Sequence, residues 1–378
     1  MFIKSGFIFG ETGNFRTGDI EITDNKITRI SFDSKEQKVN ENEIDARGMY
    51  VIPGLVDIHM HGCDGVDFCD ATDDVFRKIE EYQLKHGITN VFPATMTVSV
   101  EELREIFRAA GEYNERSKNV LSGITMEGPF ISNNKKGAQN GKYIQKPDVD
   151  LYREMQSLCK GLISQVAVAP EEDTDLRFIL ETSKEVVVSV AHTTADYEMA
   201  EKAFSSGATH VTHLFNGMNL FSHREPGVIG AAFDNKEVFV ELICDGVHIH
   251  PSMVRVVFEL FGAKRICMIS DSMRATGMRD GEYTLGGQKV VVQNNIATLE
   301  DGTIAGGICN LYQCLKKAVL EMEIPLEEAI LSCTKTPAKS LGVDDKYGVL
   351  AEGRNADILI LDKNLDIRYV IKNGVIIA

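Results

Sequence analysis

Eight short runs rich in apolar and β-branched residues punctuate the middle of this 378-residue chain: Val51–His59, Ile88–Ala94, Val120–Glu127, Leu162–Pro170, Val186–His192, Thr209–His213, Val238–Asp245 and Ile266–Asp271. A run that is apolar on both of its alternating faces predicts a strand covered on both sides. Several of the intervals carry helical periodicity, over Asp73–His86, Val100–Asn114, Ala195–Ser206 and Pro251–Phe261, with Gly87, Gly207 and Gly262 standing where helices end. Strands alternating with crossover helices lie parallel, and eight of them close most naturally into an α/β fold of the (β/α)8 TIM-like barrel type. A doubly wound open sheet is the alternative.

The two ends of the chain have another rhythm. Residues 1–50 alternate short apolar runs with turns at Gly13, Gly18 and Asp24-Asn25, and Asp357–Asp362 with Ile367–Ile377 around Asn373-Gly374 read as a strand and a hairpin. Neither end has enough strands to bury a face alone. The expectation is a small β-sandwich domain built from residues 1–50 plus 346–378, and a barrel over 51–345. Between Gly281 and Gly307 the Gly-punctuated sequence reads as β-structure inserted over the barrel mouth, and Thr336-Pro337-Ala338 as a turn leading back.

Composition narrows the function classes. A net charge of −16 argues against nucleic acid and anionic membranes as partners. No apolar run approaches the roughly 18 residues of a membrane span and no cleavable leader is evident, so a soluble cytoplasmic protein is expected. The eight cysteines are scattered without a CxxC pair, as reduced core residues would be.

The informative residues stand where the apolar runs stop. The first run leads into His59 and His61, the third ends at Glu127, the fifth at His192, the sixth at His213, the seventh at Asp245 and the eighth at Asp271. Barrel enzymes place their chemistry at the carboxyl ends of the strands. Singly, each has a bland reading as a cap, a turn residue or a bonded core histidine. Jointly that reading is poor, because burying so many polar groups without partners costs several kcal/mol each. Histidine and carboxylate ligands suit zinc, iron or manganese, and such a centre favours hydrolysis. Asp271 is the choice for proton shuttle. His210, of opposite strand parity to His213, is expected to face away from the barrel centre. His248, in a loop over the mouth, is better placed for a site role.

With these residues in view, the chain resembles the amidohydrolase superfamily, and within it the deacetylases of phosphorylated N-acetyl amino sugars. The resemblance rests on PGLVDIHMHG (53–62), MEGPFIS (126–132), VAHTTA (190–195), THLFNGM (212–218), REPG (224–227), DGVHIHP (245–251), SDSM (270–273), TIAGG (303–307) and GVLAEGRNADILILD (348–362), in the family's order. It implies removal of the acetyl group from N-acetylglucosamine 6-phosphate, giving glucosamine 6-phosphate and acetate. Glu127, His192 and His213 match the family's metal ligands, and His59 and His61 keep open a second ion, so one or two per subunit. Asp271 matches the acid/base that takes a proton from metal-bound water and passes it to the departing amine. Arg224 and His248 match residues that grip the sugar or its phosphate, with one of them able to reach in from a neighbouring subunit of a homodimer. Asn216 and Gly217 match the corner near the phosphate, and Ala138 with Ile304, Ala305 and Gly306 match pocket contacts. Gln139 stands where some relatives carry a histidine that polarises the acetyl carbonyl; an amide donates a hydrogen bond there without a charge. The epimeric N-acetylgalactosamine 6-phosphate, another N-acyl substrate, or a non-catalytic barrel are the other readings.

Overall fold

The computed structural model describes residues 1–32, 43–117 and 120–378. The stretch 33–42, within the first fifty residues expected to be β-structure, lies outside the described residues.

The central runs form parallel strands at Leu55–Met60, Ile88–Pro93, Ile124–Met126, Ile163–Val168, Val187–Val190, His210–Val211, Phe239–Ile243 and Ile266–Ile269. The third to the eighth pair consecutively as one six-stranded sheet. The first pairs the second in parallel, and parallel bridges from Val91 to Leu121 and Ala94 to Thr125 join the second to the third. The ring closes where Asp271 N–H donates to the His59 carbonyl at 3.0 Å and His61 N–H to the Ser272 carbonyl at 2.7 Å. Helices Asp73–Lys85, Val100–Ser117, Val149–Leu158, Arg177–Thr182, Tyr197–Ser205, Gly227–Asp234, Pro251–Phe261 and Leu311–Leu320 follow the strands in turn, giving the TIM-barrel order. Their starts follow local chemistry: Thr72 Oγ1 accepts from Val75 N–H at 3.3 Å and Asp196 from Met199 N–H at 2.8 Å. The first helix turns Val75, Phe76, Ile79 and Leu84 inward, the spacing of one apolar stripe.

The expected single strand from Val51 is corrected to two. Tyr50–Pro53 pairs with Phe2–Phe9 and with Ile358–Leu361 in the terminal sheet, whereas Leu55–Met60 belongs to the barrel. The chain changes sheets at Gly54, whose N–H donates to the Asp357 carbonyl at 3.0 Å. A Cβ there would lie 2.3 Å from the Thr89 side chain, so only glycine lets the chain cross. The border between the end sheet and the barrel therefore falls after Pro53, not after residue 50.

Both ends share one eight-stranded sheet, in the order Val375–Ile376, Ile367–Lys372, Ile358–Leu361, Tyr50–Pro53, Phe2–Phe9, Phe15–Thr23, Lys26–Phe32, with Ile44–Asp45 also on Phe2–Phe9. Its residues alternate between two cores: Val51, Ile358 and Ile360 pack within the sheet's own cluster, and Ile52, Leu359 and Leu361 within the barrel's main core. Gly18, expected at a turn, is inside the strand Phe15–Thr23, opposite Gly6. The Thr336-Pro337-Ala338 segment is likewise helical, within Lys335–Ser340. Its proline sits in the first turn, where no intrahelical partner awaits an N–H. Among the described residues no helix is long and apolar enough to cross a membrane.

After the eighth strand, Gly281–Leu285, Gln288–Gln293 and Ile296–Thr298 form a three-stranded antiparallel sheet. The Gln288 side-chain amide donates to the Ala138 carbonyl, which ties the tip of this hairpin to the barrel mouth.

Candidate metal centre

Six of the expected residues meet at the carboxyl ends of strands one, three, five, six and eight. His59, His61 and Asp271 form one group and Glu127, His192 and His213 another, with the ligand atoms of each group within 4.8 Å of one another. His192 Nε2 and His213 Nε2 lie 3.0 and 3.1 Å from Glu127 Oε1, and 3.2 Å from each other. His61 Nε2 is 3.3 Å from both Glu127 Oε2 and Asp271 Oδ1, so Glu127 reaches toward both groups. His59 Nε2 stands 3.7 Å from Glu127 Oε1 and from Asp271 Oδ1. All six side chains are buried.

The tautomers follow from the far side of each ring. His192 Nδ1 faces the Lys135 carbonyl at 2.8 Å, His213 Nδ1 the Asn216 carbonyl at 3.1 Å, and His61 Nδ1 the Ala94 carbonyl at 3.3 Å. His59 Nδ1 faces Glu241 Oε2 at 3.0 Å. Carbonyls and carboxylates only accept, so each Nδ1 carries the hydrogen and each Nε2 turns a lone pair inward. Four lone pairs and two carboxylates converge with no donor among them. His59 Nε2 has no hydrogen-bond partner. Such a set is unfavourable without positive charge at its centre, which is the environment a divalent cation needs, and the backing acceptors are those that orient metal-binding histidines.

The electrostatics express the same demand for positive charge in another form, with protons on the rings, where an Nε2 that takes one becomes a donor to the carboxylates. Burial works against a charge on His61, but hydrogen bonds to Asp271 and Glu127 prevail and push its pKa up to about 10. Burial likewise opposes the ionised Glu127, yet the charge of His59 and the hydrogen bonds of His192 and His213 hold its carboxyl well below the usual range. Asp271 is lowered too, its burial outweighed by the His61 hydrogen bond.

Backbone strain accompanies the ligands. His192, His213 and Asp271 have φ of 44°, 28° and 46°, left-handed values that L-residues avoid. The chain leaves its extended course just where each side chain must turn inward. Gly217, at φ 61°, packs so closely that a Cβ would lie 2.8 Å from His192 Nδ1.

Above the two groups lies a cavity of about 240 Å³, walled by His61, Glu127, His192, His213 and Asp271 together with Ala138, Gln139, Asn216, Gly217, His248, Ile304 and Gly306. Met96, Gly137, Leu285 and Thr303 also line it, and none of these was expected. Met96 stands two residues beyond the run Ile88–Ala94, so the strand-end rule could have found it. Gln139 is bonded at both ends of its amide: Oε1 accepts from Thr97 N–H and Nε2 donates to Glu127 Oε2, each at 2.7 Å. Its position is that of a clamp on Glu127.

Two expected pocket residues are not brought to this cavity. Ala305 is fully buried behind it, its N–H bonded to the Ala297 carbonyl. Arg224 is exposed on a loop turned outward by Ser222 and Glu225, and lines a separate cavity of about 930 Å³ with Lys135, Tyr197 and Asn219. His210 is a further correction. It lies 3.8 Å from Glu241 Oε1, and Glu241 also touches His59 and Gln165 of strands one and four, which only the barrel interior permits. The parity inference failed because the strand ends at Val211 and His213 lies beyond it.

The amidohydrolase family profile matches residues 50–377. N-acetylglucosamine-6-phosphate deacetylase of Bacillus subtilis (strain 168) is 32% identical over 380 residues, covering 99% of this chain and 96% of the relative. N-acetylgalactosamine-6-phosphate deacetylase of Escherichia coli O157:H7 is 30% identical over 336 residues, covering 88% of each. Among solved structures, a mutant N-acetyl-D-glucosamine-6-phosphate deacetylase from Mycobacterium smegmatis, in complex with N-acetyl-D-glucosamine-6-phosphate, superposes with a TM-score of 0.94 at 30% identity, covering 100% of this chain and 99% of that one.

Proposed function

The chain belongs to the amidohydrolase family, and from its buried cluster of four inward lone pairs and two carboxylates we propose that it hydrolyses the acetamide of N-acetylglucosamine 6-phosphate to glucosamine 6-phosphate and acetate. The cluster carries the reading, because a cation-demanding centre opening into a cavity is suited to amide hydrolysis. Glu127, His192 and His213 would hold one divalent ion and His59 with His61 a second; such ions would supply polarisation of a carbonyl and a water whose pKa falls from about 15.7 towards about 7. Zinc, iron and manganese all suit this donor set.

The chain's own groups do the rest. Asp271, held ionised beside His61, accepts the proton of the attacking water as oxygen bonds to the acetyl carbon. It then returns that proton to the amine nitrogen as the C–N bond breaks and acetate leaves. Gln139 fixes Glu127 and has no charge to lend the acetyl oxygen. Asn216, Gly217 and His248 line the end of the cavity suited to sugar and phosphate. Arg224, exposed on its outward loop, presents its guanidinium fork to the phosphate held by a second copy of the chain in a homodimer. In this reading the two chain ends form a small β-sandwich domain that buttresses the barrel.

The test is acetate release from N-acetylglucosamine 6-phosphate by metal-loaded protein, beside an Asp271→Asn variant. We expect turnover by the wild type and about a 10²–10⁴-fold loss in the variant, the usual weight of a general acid/base. No acetate from the wild type, or full activity in the variant, overturns the assignment. The galactosamine epimer is the second substrate to compare, since a relative of similar identity carries that name.

A further inference from the structure

Among the buried carboxylates that the mechanism leaves unused is Glu241. Glu241 interrupts the apolar seventh strand, Phe239–Ile243, and is fully buried inside the barrel beneath the cluster. Its Oε2 faces His59 Nδ1 at 3.0 Å and accepts from the backbone N–H of His213 at 3.3 Å. Its Oε1 accepts from Gln165 Nε2 at 2.7 Å. One carboxylate oxygen thus holds a member of each ligand group, one through its ring and one through its main chain.

We propose that Glu241 is the positioning residue that makes the two groups one binuclear centre, by aiming His59 Nε2 at the His61 and Asp271 side and fixing His213 on the other. The proposal rests on the metal-centre reading above. Three observations support it. His59 Nε2 has no hydrogen-bond partner among the described residues, so the ring's one hydrogen bond is its Nδ1 contact with Glu241. The other three histidines of the two groups rest on neutral backbone carbonyls, so of these four His59 is the one backed by an anion. A carboxylate behind an imidazole strengthens the lone pair on its far nitrogen and locks the tautomer. The ligand farthest from the carboxylates is therefore the one given the strongest backing.

The consequence is selective. Weakening Glu241 acts on the His59 side through a charged ring contact, but on His213 only through a longer main-chain one. Its loss should release the second ion before the first.

Glu241→Gln suits the test, because the Oε1 of Gln165 has no partner and its amide can turn to meet the new side chain. Metal-free full-length wild type and variant are titrated with Co²⁺, following the d–d absorption per equivalent bound. We expect wild type to take two equivalents. The variant should take the first with unchanged affinity and the second about 10–100-fold more weakly, the usual weight of such outer contacts. Equal binding of both equivalents in wild type and variant overturns the proposal, as does equal weakening of both or a wild type that takes one. Should Glu241→Gln fail to fold, Gln165→Leu loosens the same carboxylate without touching a ligand and is read by the same criteria. The titration needs no substrate, so a selective loss of the second ion in a protein that releases no acetate keeps this inference and sinks the deacetylase reading.

Discussion

A turn favours the charged form of His248. Asp245 Oδ1 accepts from the N–H groups of Val247 and His248, each at 2.9 Å, while Oδ2 lies 2.8 Å from His248 Nδ1. Burial opposes a cationic His248, but the Asp245 hydrogen bond and charge outweigh it, so its pKa stands above the ordinary 6.5. Asp245 is correspondingly lowered from 3.8, its burial outweighed by the same hydrogen bond. The signs follow: the histidine's contribution to stability is present below pH 6.5 and is lost as pH rises through its raised value. The aspartate's is present above 3.8 and is lost as pH falls through its lowered one. A cationic imidazole in the cavity favours a phosphorylated ligand. KM for N-acetylglucosamine 6-phosphate should therefore climb as pH rises through the raised pKa of His248, while KM for the unphosphorylated sugar stays flat. His248→Gln should raise the former about 10–100-fold, as loss of a charged hydrogen bond of about 1.5–3 kcal/mol implies. A variant that keeps the wild-type KM–pH curve would remove His248 from phosphate binding. At this scale the ligands were legible because each stands just past an apolar run, where a polar side chain is conspicuous. Glu241 was not, because it lies within one, and strand alternation gives no sign of what stands across a barrel. Ala305 was misplaced because a motif gives sequence neighbours one address although adjacent side chains point apart.

Among the elements, the turns after the strands carry the site, and Gly217 shows how little room they have. Alanine there keeps φ at 61° and sets a Cβ 2.8 Å from His192 Nδ1. It must push that ring off the Lys135 carbonyl that fixes its tautomer. Gly137→Ala is the matched control: φ is 54°, yet its Cβ would meet His192 Cε1 at an ordinary 3.6 Å. Both variants should lose about 1–2 kcal/mol to left-handed backbone. Gly217→Ala alone should also lose bound metal and about 10–100-fold in kcat/KM, through the disturbed contact behind the ligand. Metal analysis of the two folded proteins checks this, and a Gly217→Ala protein with full metal content would refute it. Runs and intervals were readable as elements because each is apolar at its own period. Their borders were harder. Val51–Ile58 is continuous in composition although it serves two sheets, and what divides it is the contact of Gly54 with Thr89, 35 residues away in sequence.

At the scale of the whole molecule, the question is whether the terminal sheet is an appendage or a wall of the barrel. Alternation along Ile358–Leu361 answers it: Ile358 and Ile360 face the sheet's own core, Leu359 and Leu361 the main one. Leu359 is fully buried and packs at Gly87, the end of the first barrel helix, where an added Cβ would sit 2.7 Å from its Cδ1. The Gly54 N–H bond to the Asp357 carbonyl and the Leu55 N–H bond to the Gly87 carbonyl, each 3.0 Å, join the same corner. The sheet therefore cannot leave without opening apolar surface on the barrel. Leu359→Ala and Ile358→Ala delete side chains of similar size facing opposite cores, and each should cost about 2–5 kcal/mol by transfer and cavity terms. If the two cores unfold together, calorimetry shows one transition in wild type and in both variants, moved down in each, with acetate release per folded molecule unchanged at 25 °C. An independent sheet would instead give two transitions, of which Ile358→Ala moves only one, and that result would make the chain ends a separable module. The single-transition outcome follows from the period-two pattern of ILIL, in which one strand is divided residue by residue between two cores.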